Sequence, residues 1–139
     1  ARQSERELAR RMRESNVGKL FGFELESAEA GRAVLRVRVA PKHKQVHGVV
    51  HGGILAALAD TAGGLATYMT VPRGTRLATV EMKINYLESV DRGTLSAEAR
   101  VLRRGRNFAV VDCDIHDSKG RLAAKALMTF AVVASRRKA

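Results

Sequence analysis

Apolar and polar residues change their spacing several times along this chain, and each change marks an element. Residues 4–16 are mostly charged, but Leu8 and Met12 stand four apart, which predicts a polar helix with one narrow apolar face. Ser4 and Glu7 have the spacing of a capping box at its start. Residues 21–29 are strand-like, and Glu29, Ala30 and Gly31 predict a turn. Residues 32–40 then alternate. Ala33, Leu35, Val37 and Val39 fall on one face, with Arg36 and Arg38 on the other, as in a half-buried strand.

A loop over 41–50 leads to residues 52–70, a stretch too long for a strand and rich in Ala and Leu, which predicts a helix. Its apolar residues lie all round the axis, so the helix is expected to be buried. Pro72 and Gly74 end it. Four more strands follow, three alternating at 77–87, 94–102 and 107–116 and a last, most apolar one at 121–134, separated by turn-forming residues at 91–93, 104–107 and 117–120. In the first of these, alternation places Ala78, Val80, Met82, Ile84 and Tyr86 on one face and Thr79, Glu81, Lys83 and Asn85 on the other. Two strands, a long apolar helix and four strands give an α+β domain with an antiparallel sheet of six strands. A helix apolar on every side needs cover on every side, which a sheet curled round it largely supplies. The whole chain, 1–139, reads as one domain, with an N-terminal helix within 1–16 and a basic tail at 135–139.

Composition narrows the picture. The 139 residues suit one core. With no Trp and 4% aromatics, that core must be filled by Leu, Val, Ile and Ala. A single cysteine, Cys113, has no partner for an internal disulfide, as expected of a reducing compartment. Neither a membrane-spanning apolar run nor a signal-peptide pattern is evident, so a cytoplasmic protein that does not enter a membrane is expected. The net charge of +11 attracts polyanions, either nucleic acid or a phosphate-bearing molecule such as coenzyme A. Nothing resembles a helix-turn-helix, and there is little aromatic surface for stacking bases, which argues against nucleic acid.

The long apolar helix carries the candidate chemistry. It opens on His51-Gly52-Gly53 and holds one acid, Asp60. A helix N-terminus presents unpaired N–H groups and partial positive charge, suited to an anion or a polarised carbonyl oxygen. Glycines there allow close approach to the backbone, so Gly52 and Gly53 are candidates for an oxyanion-type site. A carboxylate among apolar neighbours is costly unless paired or functional, which makes Asp60 a candidate base. Eight positions separate Gly52 from Asp60, about 12 Å along a helix. One carbonyl cannot meet both within one chain. Two antiparallel copies of the helix would bring the N-terminus of one beside Asp60 of the other, so joint function implies a two-fold dimer with two equal sites.

These residues resemble those of a known family. Gly48-Val49-Val50-His51-Gly52-Gly53 with Asp60, the strand at 78–87 and the turn at 103–107 are similar to hotdog-fold acyl-CoA thioesterases of the PaaI-like type. The resemblance spans about residues 17–134. It implies a six-stranded antiparallel sheet wrapped round the long helix, and hydrolysis of acyl-CoA to free acid and coenzyme A without any other cofactor. It implies homodimers with sites at the subunit interface, and leaves open whether these pair further into tetramers. The Gly52 amide would polarise the thioester carbonyl, and Asp60 of the partner subunit would activate water or attack directly. His51 would order the loop, and Thr79 would assist the acid. Gln45 stands where many relatives have Asn, a longer arm for orienting water. Gly53, Arg103, Arg104, Arg106 and Asn107 would contact the substrate, with the arginines on the phosphates of coenzyme A. His43, His47 and His51 recur every fourth residue, but in a loop, and no metal is expected. Cys113 shares an apolar face with Ala109, Val111 and Ile115 and reads as core. The competing reading is a non-catalytic acyl-CoA sensor, against which a positioned acid argues.

Overall fold

In the computed structural model, which describes residues 2–133, Ser4 opens helix α1 (Glu5–Glu14). The Glu7 amide donates to its hydroxyl at 3.2 Å, as the capping-box spacing predicts, and Leu8 and Met12 are buried. Ser15 then caps a second helix, α2 (Asn16–Phe21), by accepting from the Gly18 amide at 2.9 Å. Gly22 ends α2 with φ of 75°, a left-handed position that glycine fills without strain. The single N-terminal helix within 1–16 and the strand start at Phe21 are therefore corrected. Six residues are too few to show an apolar stripe, so this helix is specified by its caps alone. The basic tail expected at 135–139 lies outside the described residues.

Six strands follow in the expected order around one long helix: β1 (Glu24–Glu29), β2 (Arg32–Arg38), helix α3 (Gly52–Tyr68), β3 (Arg76–Tyr86), β4 (Thr94–Arg104), β5 (Phe108–His116) and β6 (Leu122–Val133). They form one antiparallel sheet in the order β1-β2-β4-β5-β6-β3, so β1 and β3 are its edges. Helix α3 lies on the inner face and buries Leu55, Leu58, Ala59, Ala62, Leu65 and Ala66 there. Gly63 lets it come close: a Cβ at this position would stand 2.9 Å from Met128 Cε and 3.0 Å from Phe130 Cε2. Cys113 is fully buried, and burial pushes its thiol up to about 12, which suits packing and not nucleophilic chemistry.

The sheet does not close round α3. Gly53, Ala56, Ala57, Asp60, Thr61, Gly64 and Tyr68 form a stripe at helical spacing that stays partly exposed. Helix α1 crosses the gap above the C-terminal half of that stripe and is fastened to both sides of it. Glu5 accepts from the Ala28 amide of β1 at 2.8 Å, and Glu7 pairs with Arg73, just ahead of β3. No helix among the described residues is long and apolar enough to cross a membrane.

Strand β3 departs from the alternation its sequence predicts. Thr79 pairs with Phe130 and Glu81 with Thr129, so Val80 is the extra residue of a β-bulge. The bulge resets the faces: Leu77, Met82 and Ile84 pack towards the core, whereas Val80 is 55% exposed. Thr79 thereby joins the inner face that plain alternation denies it.

Candidate functional site

The histidine before the glycine pair is itself the cap of α3. His51 is extended (φ −63°, ψ 135°), and its Nδ1 accepts from the Gly53 amide at 2.7 Å. The Ile54 amide donates to the His51 carbonyl at 2.9 Å. A Cβ on Gly53 would stand 2.9 Å from His51 Nδ1, so this cap requires glycine there. Among the described residues the Gly52 N–H has no acceptor. The cap thus takes the second glycine's donor and leaves the first one's free at the positive end of the helix. The Tyr86 ring from the end of β3 flanks Gly52, 3.2 Å from where a Cβ would be.

The preceding loop holds this cap in place. His43 is buried, with Nδ1 accepting from the Ala40 amide at 2.9 Å and Nε2 donating to the Phe21 carbonyl at 2.6 Å. Its carbonyl receives the His51 amide at 2.9 Å. Both ring nitrogens are therefore committed to the fold. His47 is exposed, and no group of His, Cys, Asp or Glu among the described residues is placed to hold a metal. Gln45 Oε1 accepts from the His47 amide, while the Gln45 backbone closes the loop on Val49 and Gly48.

At mid-helix Asp60 is half-buried, and the Thr79 hydroxyl donates to its Oδ1 at 2.6 Å. This bond exists because of the β3 bulge. One carboxylate oxygen is fixed, and the other is left to the cleft that both residues line. The cleft, about 280 Å³, lies between α1, α3, β3 and β6. Its apolar walls include Leu8, Met12, Leu65, Tyr68, Leu77 and Phe130. Leu8, Met12 and Tyr86 carry no signal in the sequence that marks them as site residues. Their signal is topological, since each meets the site only once the chain has folded.

One protomer does not unite the predicted residues. Gly52 opens α3, and Asp60 lies eight residues on, about 12 Å along the axis. The arginine turn is a third location. Arg104 pairs with Ala109, Ala109 with Phe130 and Phe130 with Thr79, a row across the sheet that puts Arg104 three strands from Thr79, about 14 Å away. A second bulge, at Leu102, places Arg104 on the core-facing side of that row and Arg103 on the opposite face. Arg103, Arg104 and Arg106 are exposed and pair with no acid among the described residues. The Asn107 carbonyl accepts from the Val132 amide at 2.8 Å, which ties the turn to β6.

Comparison with known proteins adds four findings. The family model described as "Thioesterase superfamily" matches residues 47–124, from the loop ahead of α3 into β6. An esterase-named protein of Saccharolobus solfataricus is 35% identical over 115 residues, covering 83% of this chain and 81% of that one. Among solved structures, a thioesterase from Haemophilus influenzae superposes with a TM-score of 0.87 at 25% identity, covering 96% of this chain and 92% of its own. A thioesterase-named protein of Streptococcus pneumoniae, solved with coenzyme A, superposes at 0.78 with 29% identity, covering 86% of this chain and 92% of its own.

Proposed function

The chain belongs to the thioesterase superfamily and is an enzyme of thioester hydrolysis, and from that premise we propose that it hydrolyses acyl-CoA in active sites shared between two protomers. The observation that carries this reading is the division of labour along α3. A donor-only end, the free Gly52 N–H, and an acceptor end, Asp60 held by Thr79, stand about 12 Å apart and face no common atom within one chain.

The edge strand supplies the missing geometry. β3 is eleven residues long and unpaired on its outer side, an edge suited to a second strand. Antiparallel pairing with a second β3, centred on Lys83 and with Val80 bulged out, keeps Met82 opposite Ile84 on the inner face and sets Thr79 opposite Tyr86 of the partner subunit. Asp60 goes with Thr79, and Gly52 lies against Tyr86. Each of the two equal sites then holds an amide from one protomer and an acid from the other.

In such a site the thioester carbonyl oxygen accepts from the Gly52 N–H. The developing negative charge is stabilised there, where the helix dipole adds to the hydrogen bond. His51 orients that amide through its cap. Asp60 either takes a proton from water as the water attacks the carbonyl carbon, or attacks directly and forms an anhydride that water opens. Both routes break the C–S bond and give the free acid and coenzyme A, and no further cofactor enters. The amide of Gln45 lies on the loop ahead of Gly52 and serves to orient the water. Arg104 and Arg106 meet the phosphates of coenzyme A, with Arg103 adding charge from the other face. The coenzyme A bound to the Streptococcus pneumoniae relative supports this substrate class.

Thiol release from a panel of acyl-CoAs by wild type and Asp60→Asn tests the proposal. Wild type cleaves at least one member, and Asp60→Asn loses most of that activity. A wild type that cleaves none refutes the function, and a fully active Asp60→Asn refutes the mechanism. A single turnover in 18O-water separates the general-base route from direct attack in which water opens the anhydride at the aspartyl carbon, because that opening leaves unlabelled aspartate oxygen in the first acid released.

A further inference from the structure

Helix α1 lies across the open side of the hydrolytic cleft, and one of its residues has bonding capacity that the fold does not use. Arg11 lines the cleft with Asp60. Its guanidinium stands 6.0 Å from the Tyr68 ring centroid, and its Nη1 donates at 2.5 Å to Oε1 of Gln3, which is buried. An arginine has five N–H donors. No carboxylate among the described residues pairs with Arg11. We propose that α1 is the acyl-selecting wall of this active site and that Arg11 reads the far end of the acyl group, favouring chains that end in a carboxylate. The inference rests on the reading of Asp60 as the reacting end.

Four observations support it. The cleft is apolar between its two polar ends, with Leu8, Met12, Leu65, Leu77 and Phe130 on its walls, which suits a hydrocarbon body. Its volume, about 280 Å³, is roughly twice that of a cavity known to hold benzene, about 150 Å³. The ends carry opposite charge. Asp60 repels a carboxylate beside the thioester, so a chain bearing one turns it away, towards Arg11. Finally, the exposed Arg11 side chain is tethered. Glu5 ties α1 to β1, Glu7 ties it to Arg73, and Gln3 ties the guanidinium itself. A tethered cation loses less freedom on binding than a free one, so its hydrogen bonds with a ligand are realised more fully.

The helix sets the length of the preferred chain. Tyr68, beneath the guanidinium, is eight residues beyond Asp60, about 12 Å along the axis. At about 1.25 Å of extended chain per bond that is on the order of nine or ten bonds, so acyl groups of roughly eight to ten carbons reach from the acid to the arginine.

Matched pairs of substrates test this: octanoyl- and decanoyl-CoA against the ω-carboxyacyl-CoAs of equal length. Wild type prefers the carboxylate-ended member of each pair in kcat/KM by about tenfold to a hundredfold, the range expected of hydrogen bonds to a charged group. Arg11→Met keeps the apolar stem and brings the ratio down to about one, and Arg11→Lys restores part of the preference. Circular dichroism and thermal melting of each variant establish that α1 stays folded. A wild type that favours the plain chains, or a ratio unmoved in Arg11→Met, overturns the inference while leaving the hydrolase standing. A wild type that cleaves no acyl-CoA at all brings down the proposed function, and this inference with it.

Discussion

Replacing Gly52 by proline removes the free N–H, puts a ring carbon in its place, and leaves the start of α3 intact. Gly52 is the first residue of α3, the helical position where proline is best tolerated, because its N–H has no partner within the helix. Here that N–H has no other acceptor among the described residues either, so the fold loses no hydrogen bond. The preceding residue, His51, already has the extended backbone that a following proline demands, with ψ of 135°. The cost is steric. The new Cβ arrives 3.2 Å from Tyr86 Cζ, so the ring must give by a few tenths of an ångström. The thermal midpoint should therefore stay close to that of wild type. If the Gly52 amide carries the developing charge on the thioester oxygen, its loss costs about 100- to 1,000-fold in kcat, as for other oxyanion donors. Thiol release under saturating acyl-CoA measures this directly. A folded Gly52→Pro protein with kcat within about threefold of wild type would refute the role given to this amide.

Other outcomes follow from the same geometry. Thr79→Val removes the 2.6 Å bond to Asp60 and should lower kcat by about tenfold or more with a smaller change in KM; Thr79→Ser, which keeps the hydroxyl, should recover most of it. Neighbouring glycines of α3 should respond oppositely in urea unfolding. Gly63→Val overpacks against Met128 and Phe130 and costs about 1–3 kcal/mol, whereas Gly64→Ala, whose Cβ meets only Phe130 Cε1 at 3.9 Å, gains about 0.5–1 kcal/mol of helix propensity. Asp117, in the turn between β5 and β6, has its carboxyl raised by burial but held below the usual aspartate range by the Arg121 amide and guanidinium and the Lys119 amide. Its contribution to stability is thus complete above the ordinary aspartate value, about 3.9, and is lost as pH falls through the lowered one. Melting curves across pH 2–5 should show a smaller acid-induced drop in Asp117→Asn than in wild type.

Much of this was legible in the chain because periodicity reports burial directly. The long apolar helix, the alternating strands and the glycine-bounded turns all lie where the sequence expects them. Asp60 was conspicuous as the one acid in an apolar stretch. What the sequence concealed depends on contacts between distant segments. Nothing in the alternation at 77–87 reveals that Val80 is a bulge, because that choice is made by pairing with β6. Without the bulge Thr79 would face away from Asp60. The split of Arg103 from Arg104 has the same cause, one residue inserted at Leu102. Helix α2 escaped because its signals are a shared serine cap and a left-handed glycine, not a stripe. The role of α1 as a strap over the cleft was hidden by its composition. Its charged residues resemble a solvated surface helix, yet Glu5 and Glu7 fasten it to the two sides of the opening.

The central claim is that each active site takes its amide from one protomer and its acid from the other, and mixing two inactive variants tests it most directly. Gly52→Pro and Asp60→Asn are each expected to be nearly inactive alone. If they are unfolded together, refolded in equal amounts and assayed for thiol release, about half of the dimers are mixed, and each mixed dimer holds one site with both groups intact. The account predicts recovery to about a quarter of wild-type activity. If the groups act within one protomer, no site in any mixed dimer is complete, and activity that stays at the level of the separate variants would contradict the account.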